Sequence, residues 1–231
     1  MTLRANARLA GFMFLFYIVA GIMHMIVFNQ ATRGAEGTAA QLASIAQHAS
    51  LVRVTFLLAL LESLAALVLG VTLYALTREV DRDLAVMALC CRAGEGEMGL
   101  ISAVRTLGLV SVAKGAAGAA PADAAAANAL GALLLNVGAG GVGAIAFAVG
   151  SLLFSYLFLR ARSIPVPLAW LGVLASAVWV VALPLRAAGF LRGPMITYAA
   201  YLPMAVFEVT LAVWLLIKGV APPPQRQSAS A

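Results

Sequence analysis

The feature that most constrains this chain is a series of apolar runs about 20 residues long or longer, separated by short polar stretches. At about 1.5 Å per residue, a helix of that length crosses a hydrocarbon core of about 30 Å. Hydrophobic residues fill 63% of the 231 positions and charged residues only 10%, against roughly a quarter charged in an ordinary soluble domain. A water-soluble fold has nowhere to hide that much apolar surface. The runs lack the alternation of barrel strands, and a helix satisfies its own backbone hydrogen bonds in lipid. The expected fold is therefore all-α: an integral membrane bundle of about six transmembrane helices in a single domain over residues 1–220.

The spans fall at about residues 9–28, 54–76, 84–112, 133–159, 168–190 and 198–217. The first run follows Arg4 and Arg8 as a secretory signal would. It is too long for a typical signal core and no A-x-A cleavage site follows it, so it reads as a retained span. Residues 221–231, with Pro222, Pro223, Pro224 and Ser228, read as a disordered cytoplasmic tail.

Orientation follows from the cations near span ends. With the N-terminus inside, Arg4, Arg8, Arg78, Arg82, Arg160, Arg162, Lys218 and Arg226 lie inside, while Arg33, Arg53, Lys114, Arg186 and Arg192 lie outside. Eight against five favours both termini in the cytoplasm; the expected location is the inner (plasma) membrane, with the lipid bilayer as first partner. If the charged third run failed to span, the margin would be the same, so its length of about 29 residues carries the span number. Tyr74 before Arg78, Tyr156 before Arg160 and Trp214 before Lys218 place an aromatic and a cation one turn apart, as suits a headgroup boundary.

Between the first two spans, Leu42, Ile45 and Ala49 recur at helical spacing, which predicts a short helix lying on the outer surface. The stretch from Lys114 to Asn128 is rich in Gly and Ala and contains Pro121, and it reads as an outer loop.

Three stretches occur in an order that resembles a bacterial multi-span membrane family, domain of unknown function 4386. They are Leu73-Tyr74-Ala75-Leu76-Thr77-Arg78-Glu79-Val80-Asp81-Arg82-Asp83-Leu84-Ala85, then Arg92-Ala93-Gly94-Glu95, then Gly150-Ser151-Leu152-Leu153-Phe154-Ser155-Tyr156-Leu157-Phe158-Leu159-Arg160-Ala161-Arg162-Ser163-Ile164-Pro165. A fourth match is Phe207-Glu208-Val209-Thr210-Leu211-Ala212-Val213-Trp214-Leu215-Leu216-Ile217-Lys218-Gly219, and the likeness covers nearly the whole chain. The resemblance implies a helical bundle and no activity. Gly94, Gly96 and Glu97 stand where relatives look more aliphatic, which predicts local irregularity in the third helix.

Ionisable groups inside a bilayer cost about 2.5 to 3.5 kcal/mol each at a helix centre, so each needs a reason. Glu62 is nine residues past Arg53, roughly 13 Å along its helix, and Glu208 is ten before Lys218, roughly 15 Å. Glu95 is thirteen past Arg82, roughly 20 Å, and shares a helical face with Arg92. These four form the expected buried polar network: Arg92, Glu95, Glu62 and Glu208. Glu97, Arg105 and His24 are possible additions, with Arg105 able to snorkel outward and His24 read mainly as a packing residue. Too few cations match the carboxylates at that depth, so Glu62 or Glu208 is expected to carry its proton and hydrogen-bond as a neutral acid.

The network fits two readings: interhelical glue, or a polar, proton-linked pathway. The function classes that follow are a small-solute or proton-coupled transporter, a non-enzymatic helper or assembly subunit of another membrane protein, and, least expected, an intramembrane enzyme. No serine or cysteine has a convincing base, so no catalytic residue is assigned. His24 is the only histidine inside a run, which argues against metal or haem, and no cofactor is expected. Cys90 and Cys91 are adjacent and read as reduced packing residues. The Gly138, Gly140, Gly141 and Gly143 run lacks the Lys-Ser/Thr ending of a phosphate loop and reads as a close helix approach. The net charge of +6 is punctuation between spans, not a basic stripe interleaved with aromatics, so no nucleic acid is expected. A membrane-protein partner or a homo-oligomer remains open.

Overall fold

A computed structural model describes residues 2–136, 141–191 and 194–221, with the backbone alone for 194–200. Among these residues there are helices and no strand: α1 (Leu3–Ala31), α2 (Thr38–Gln47), α3 (Ala49–Thr77), α4 (Arg82–Ala116), α5 (Pro121–Asn136), α6 (Val142–Ala161), α7 (Val166–Ala187) and α8 (Pro194–Ile217). Helices α1, α3, α4, α6 and α7 are long and apolar enough to cross a membrane, and Tyr201–Ile217 of α8 forms a shorter apolar helix. The chain is an all-α, multi-pass membrane protein. Gly138, Gly140, Arg192 and the tail from Pro222 onward lie outside the described residues.

The third run is one unbroken helix of 35 residues through Gly94 and Gly96, so the expected irregularity is absent. Two glycines weaken a helix by about 1 kcal/mol each in water, but a backbone surrounded by apolar side chains has no other partner for its N–H and C=O groups.

The stretch from Lys114 to Asn128 is not simply a loop, because Pro121 opens α5. Proline is at home at the first helical position, where its missing N–H is not needed. Asp123 complements the positive end of the helix, and Ala124 to Ala127 are the best helix formers available. As a result residues 133–136 close α5, and the fourth span begins at Val142.

Contacts divide the chain into two compact units. The first comprises Met1–Leu15, Ala66–Gly94 and Ala144–Ala231. Its core gathers Phe14, Leu69, Leu73, Phe147, Phe158, Trp179, Phe207 and Leu211. Trp179 meets Phe147 and Tyr201 edge-on, with centroids 5.6 and 4.4 Å apart.

At one end of this unit Asp81 caps α4: its Oδ1 accepts the Leu84 amide at 3.2 Å, and its Oδ2 accepts Arg160 Nη1 of α6 at 2.8 Å. The Leu84 amide first, and then the Arg160 guanidinium, hold the Asp81 carboxyl below its ordinary value of 3.8. After α6 the chain reverses through Arg162, which adopts the left-handed conformation at φ 50°. Ala221, beyond α8, donates its amide to the Ser163 carbonyl at 2.9 Å.

The second unit comprises Phe16–Ala65 and Glu95–Gly143. The short helix expected between the first two spans is α2, and its Leu42 and Ile45 are buried against Ala31, Val52, Leu109, Val110 and Ala113. Helix α2 packs on α5, where a Cβ on Gly131 would stand 2.6 Å from a Leu42 methyl. Ser44 Oγ ties α2 to the end of α1 by donating to the Ala31 carbonyl at 2.7 Å.

Candidate functional site

Tyr17, Gly21 and His24 lie at i, i+4 and i+7 on α1 and therefore share one face of that helix. In the second unit this face meets two carboxylates. Tyr17 Oη donates to Glu95 Oε1 of α4 at 2.7 Å, a length that suits a hydroxyl bonding a charged oxygen. His24 Nδ1 stands 3.2 Å from Glu62 Oε2 of α3, with about a third of each side chain exposed, 34% and 27%. That distance serves an N–H donating to a carboxylate, and a protonated imidazole would add charge to the bond.

Gly21 makes the His24–Glu62 approach possible. A Cβ there would come within 2.9 Å of Glu62 Oε1, so the carboxylate rests against the bare backbone of α1. Beside it, Ser63 is buried and donates to the Ala59 carbonyl of its own helix at 2.8 Å. Residues Glu62 and Glu95 are thus held by α1 side chains that position both of them from one helix.

The other two members of the expected network belong to the first unit. Arg92 is 1% exposed, and its guanidinium carbon lies 5.3 Å from the centre of the Phe147 ring, within cation–π range. Two glycines make room for its stem: Cβ atoms on Gly70 and Gly150 would stand 2.9 Å from Arg92 Cβ and 3.4 Å from its Cδ. Glu208, 8% exposed, sits on α8. Neither unit by itself therefore contains all four of Arg92, Glu95, Glu62 and Glu208.

Of the possible additions, His24 takes a direct part as the partner of Glu62. Glu97 is exposed on α4, on a stripe with Ile101 and Val104 that turns away from the polar face. Arg105 is half-buried, and its Nε has no hydrogen-bond partner among the described residues. Tyr17 was not singled out from the sequence, although its spacing of seven from His24 is the signal that marks the shared face.

Among the described residues no three His, Cys, Asp or Glu side chains gather as a metal site. What the α1 face provides instead is a phenol and an imidazole, which meet one carboxylate from α4 and one from α3. Each of these is able to give or accept a proton, and they are linked in two hydrogen-bonded pairs.

No curated protein and no protein of solved structure matches this chain. The stretch from residue 9 to residue 219 does match the family described as Domain of unknown function (DUF4386), and on that coverage the chain belongs to this family.

Proposed function

We propose that the protein carries protons across the membrane, alone or coupled to a small solute, by way of the His24–Glu62 and Tyr17–Glu95 pairs. The observation that carries this reading is the His24–Glu62 contact, 3.2 Å long, with both side chains partly exposed. A pair that served only to glue helices together gains most when it is sealed from its surroundings. A partly open imidazole–carboxylate pair can pass a proton, because one ring nitrogen can donate while the other accepts.

The test uses purified protein in liposomes loaded with a pH-sensitive dye, across which a pH gradient is imposed. Wild type should dissipate the gradient faster than empty liposomes do, and Glu62→Gln should slow it to the empty-liposome rate while folding normally. Glu62→Gln with wild-type flux would remove this reading. Comparison of metabolites in deletion and wild-type cells then identifies a coupled solute.

A second reading, that of an assembly subunit for another membrane protein, draws on Glu97. It lies on an exposed stripe with Ile101 at 61% and Val104 at 64%, and a carboxylate on a lipid-facing stripe is costly unless a partner covers it. A photocrosslinker at Val104 that captures one discrete protein in cells would favour this reading.

A further inference from the structure

Five of the buried hydroxyls of this protein follow one habit. Thr55, Ser63, Thr72, Thr77 and Thr106 each donate to a carbonyl three or four residues back on their own helix, at 2.8 to 3.1 Å. Ser176 of α7 departs from it, and so does Ser155 of α6. Ser155 is 1% exposed, and its Oγ has no hydrogen-bond partner among the described residues. Leaving a buried hydroxyl unsatisfied costs about 1 to 3 kcal/mol, and Ser155 lines a cavity of about 10 Å³ in the first unit. That volume is about one water-sized probe.

The cavity wall brings Ser155 together with Ser151, one turn earlier on the same face of α6, and with the side chain of Arg92 from α4. Phe14, Phe158 and Phe207 form part of the remainder. A guanidinium carries five N–H donors and no acceptor, so it retains donor capacity even when one carboxylate is already bonded to it. Any occupant beside it must therefore accept hydrogen bonds, which excludes metal cations and ammonium groups. The volume excludes organic solutes.

We propose that this cavity is a binding site for a single water-sized hydrogen-bond acceptor, a water molecule or a small monatomic anion, held by Arg92, Ser151 and Ser155. The site lies wholly in the first unit and is independent of the His24–Glu62 pair. Two or more polar partners are what a buried water needs, and the charged donor is what a halide needs.

Nuclear magnetic resonance of the full-length protein in detergent micelles tests the proposal through the Arg92 side-chain Nε–H signal, assigned by its loss in Arg92→Lys. Spectra are taken in potassium fluoride, potassium chloride and potassium gluconate at equal ionic strength. A saturable shift with halide and none with gluconate identifies an anion. Cross-relaxation with a long-lived water, equal in all three salts, identifies water. Either result upholds the site, and Ser155→Ala should then weaken halide affinity or shorten water residence by roughly tenfold or more, the loss of one hydrogen bond to the occupant. Ser151→Ala supplies a second, independent reading should Ser155→Ala fold poorly. Absence of both signals in wild type, or signals unchanged in a folded serine variant, overturns the proposal.

Discussion

Tyr17 on α1 donates its hydroxyl to Glu95 on α4 across 2.7 Å, joining residues 78 positions apart in the sequence. Interhelical hydrogen bonds in membrane proteins contribute about 0.6 kcal/mol on average and up to about 1.7. Tyr17→Phe and Glu95→Gln should each destabilise the protein by about 1 kcal/mol. The double variant should lose less than the sum, as measured by reversible unfolding in detergent. Strictly additive losses would show that the bond contributes nothing.

The seat of Glu62 against Gly21 gives a second expectation. The atom that a new methyl would meet is the far end of a flexible side chain, 2.9 Å away, so Gly21→Ala should fold at near wild-type yield while pushing the carboxylate off His24. A hydrophobic carbodiimide, which modifies protonated carboxyls in lipid, is expected to label Glu62 or Glu208. Gly21→Ala should alter labelling at Glu62 and leave Glu208 alone, as read by mass spectrometry of the peptides. Absence of labelling at either residue between about pH 6 and 8, with the reagent shown to reach the bilayer, removes the case for a neutral acid.

A pH dependence follows from the cap on α4. The folded Asp81 carboxyl sits below its ordinary value of 3.8, held there by the Leu84 amide and Arg160. A carboxyl depressed on folding stabilises the protein above the unfolded value, and that contribution fades as the pH falls through the folded one. Asp81→Asn should therefore melt below wild type at neutral pH, with the gap closing as the pH drops under 3.8. A gap unchanged down to the acid limit would mean that the effect of the substitution is steric.

Topology is open to direct measurement. Single cysteines at Thr32 and Ser111, in a background lacking Cys90 and Cys91, should react with an impermeant maleimide added to intact cells, and so should one at Arg192. Cysteines at Arg82 and Arg162 should react only after permeabilisation. External labelling at position 162 is the result that sinks a six-span arrangement with both termini inside.

Much of the fold was legible in the sequence because membrane insertion reads local properties. Run length and apolarity are stated residue by residue, and they marked α1, α3, α4 and α7 to within about six positions of their ends. The ionisable residues stood out for the same reason, since Glu62, Arg92, Glu95 and Glu208 each interrupt an apolar run. Composition misled between Lys114 and Asn128, where glycine and proline suggested a loop. Pro121 ends nothing there, because whether a proline opens or breaks a helix depends on which side of it the helix lies.

The partners in the candidate site were decided by tertiary structure. The Tyr17 hydroxyl reaches Glu95 from α1, a partner that spacing along α4 does not reveal. Likewise His24 reads in sequence as a lone histidine in an apolar run, and only the seating of α1 at Gly21 brings it to Glu62. The sequence determines that a helix forms, how long it is and which residues share each of its faces, because these depend on the backbone period alone. Which face meets which neighbour is set by how small and large side chains from several helices fit together. That fit is a property of distant residues in combination, and no single run of the chain contains it.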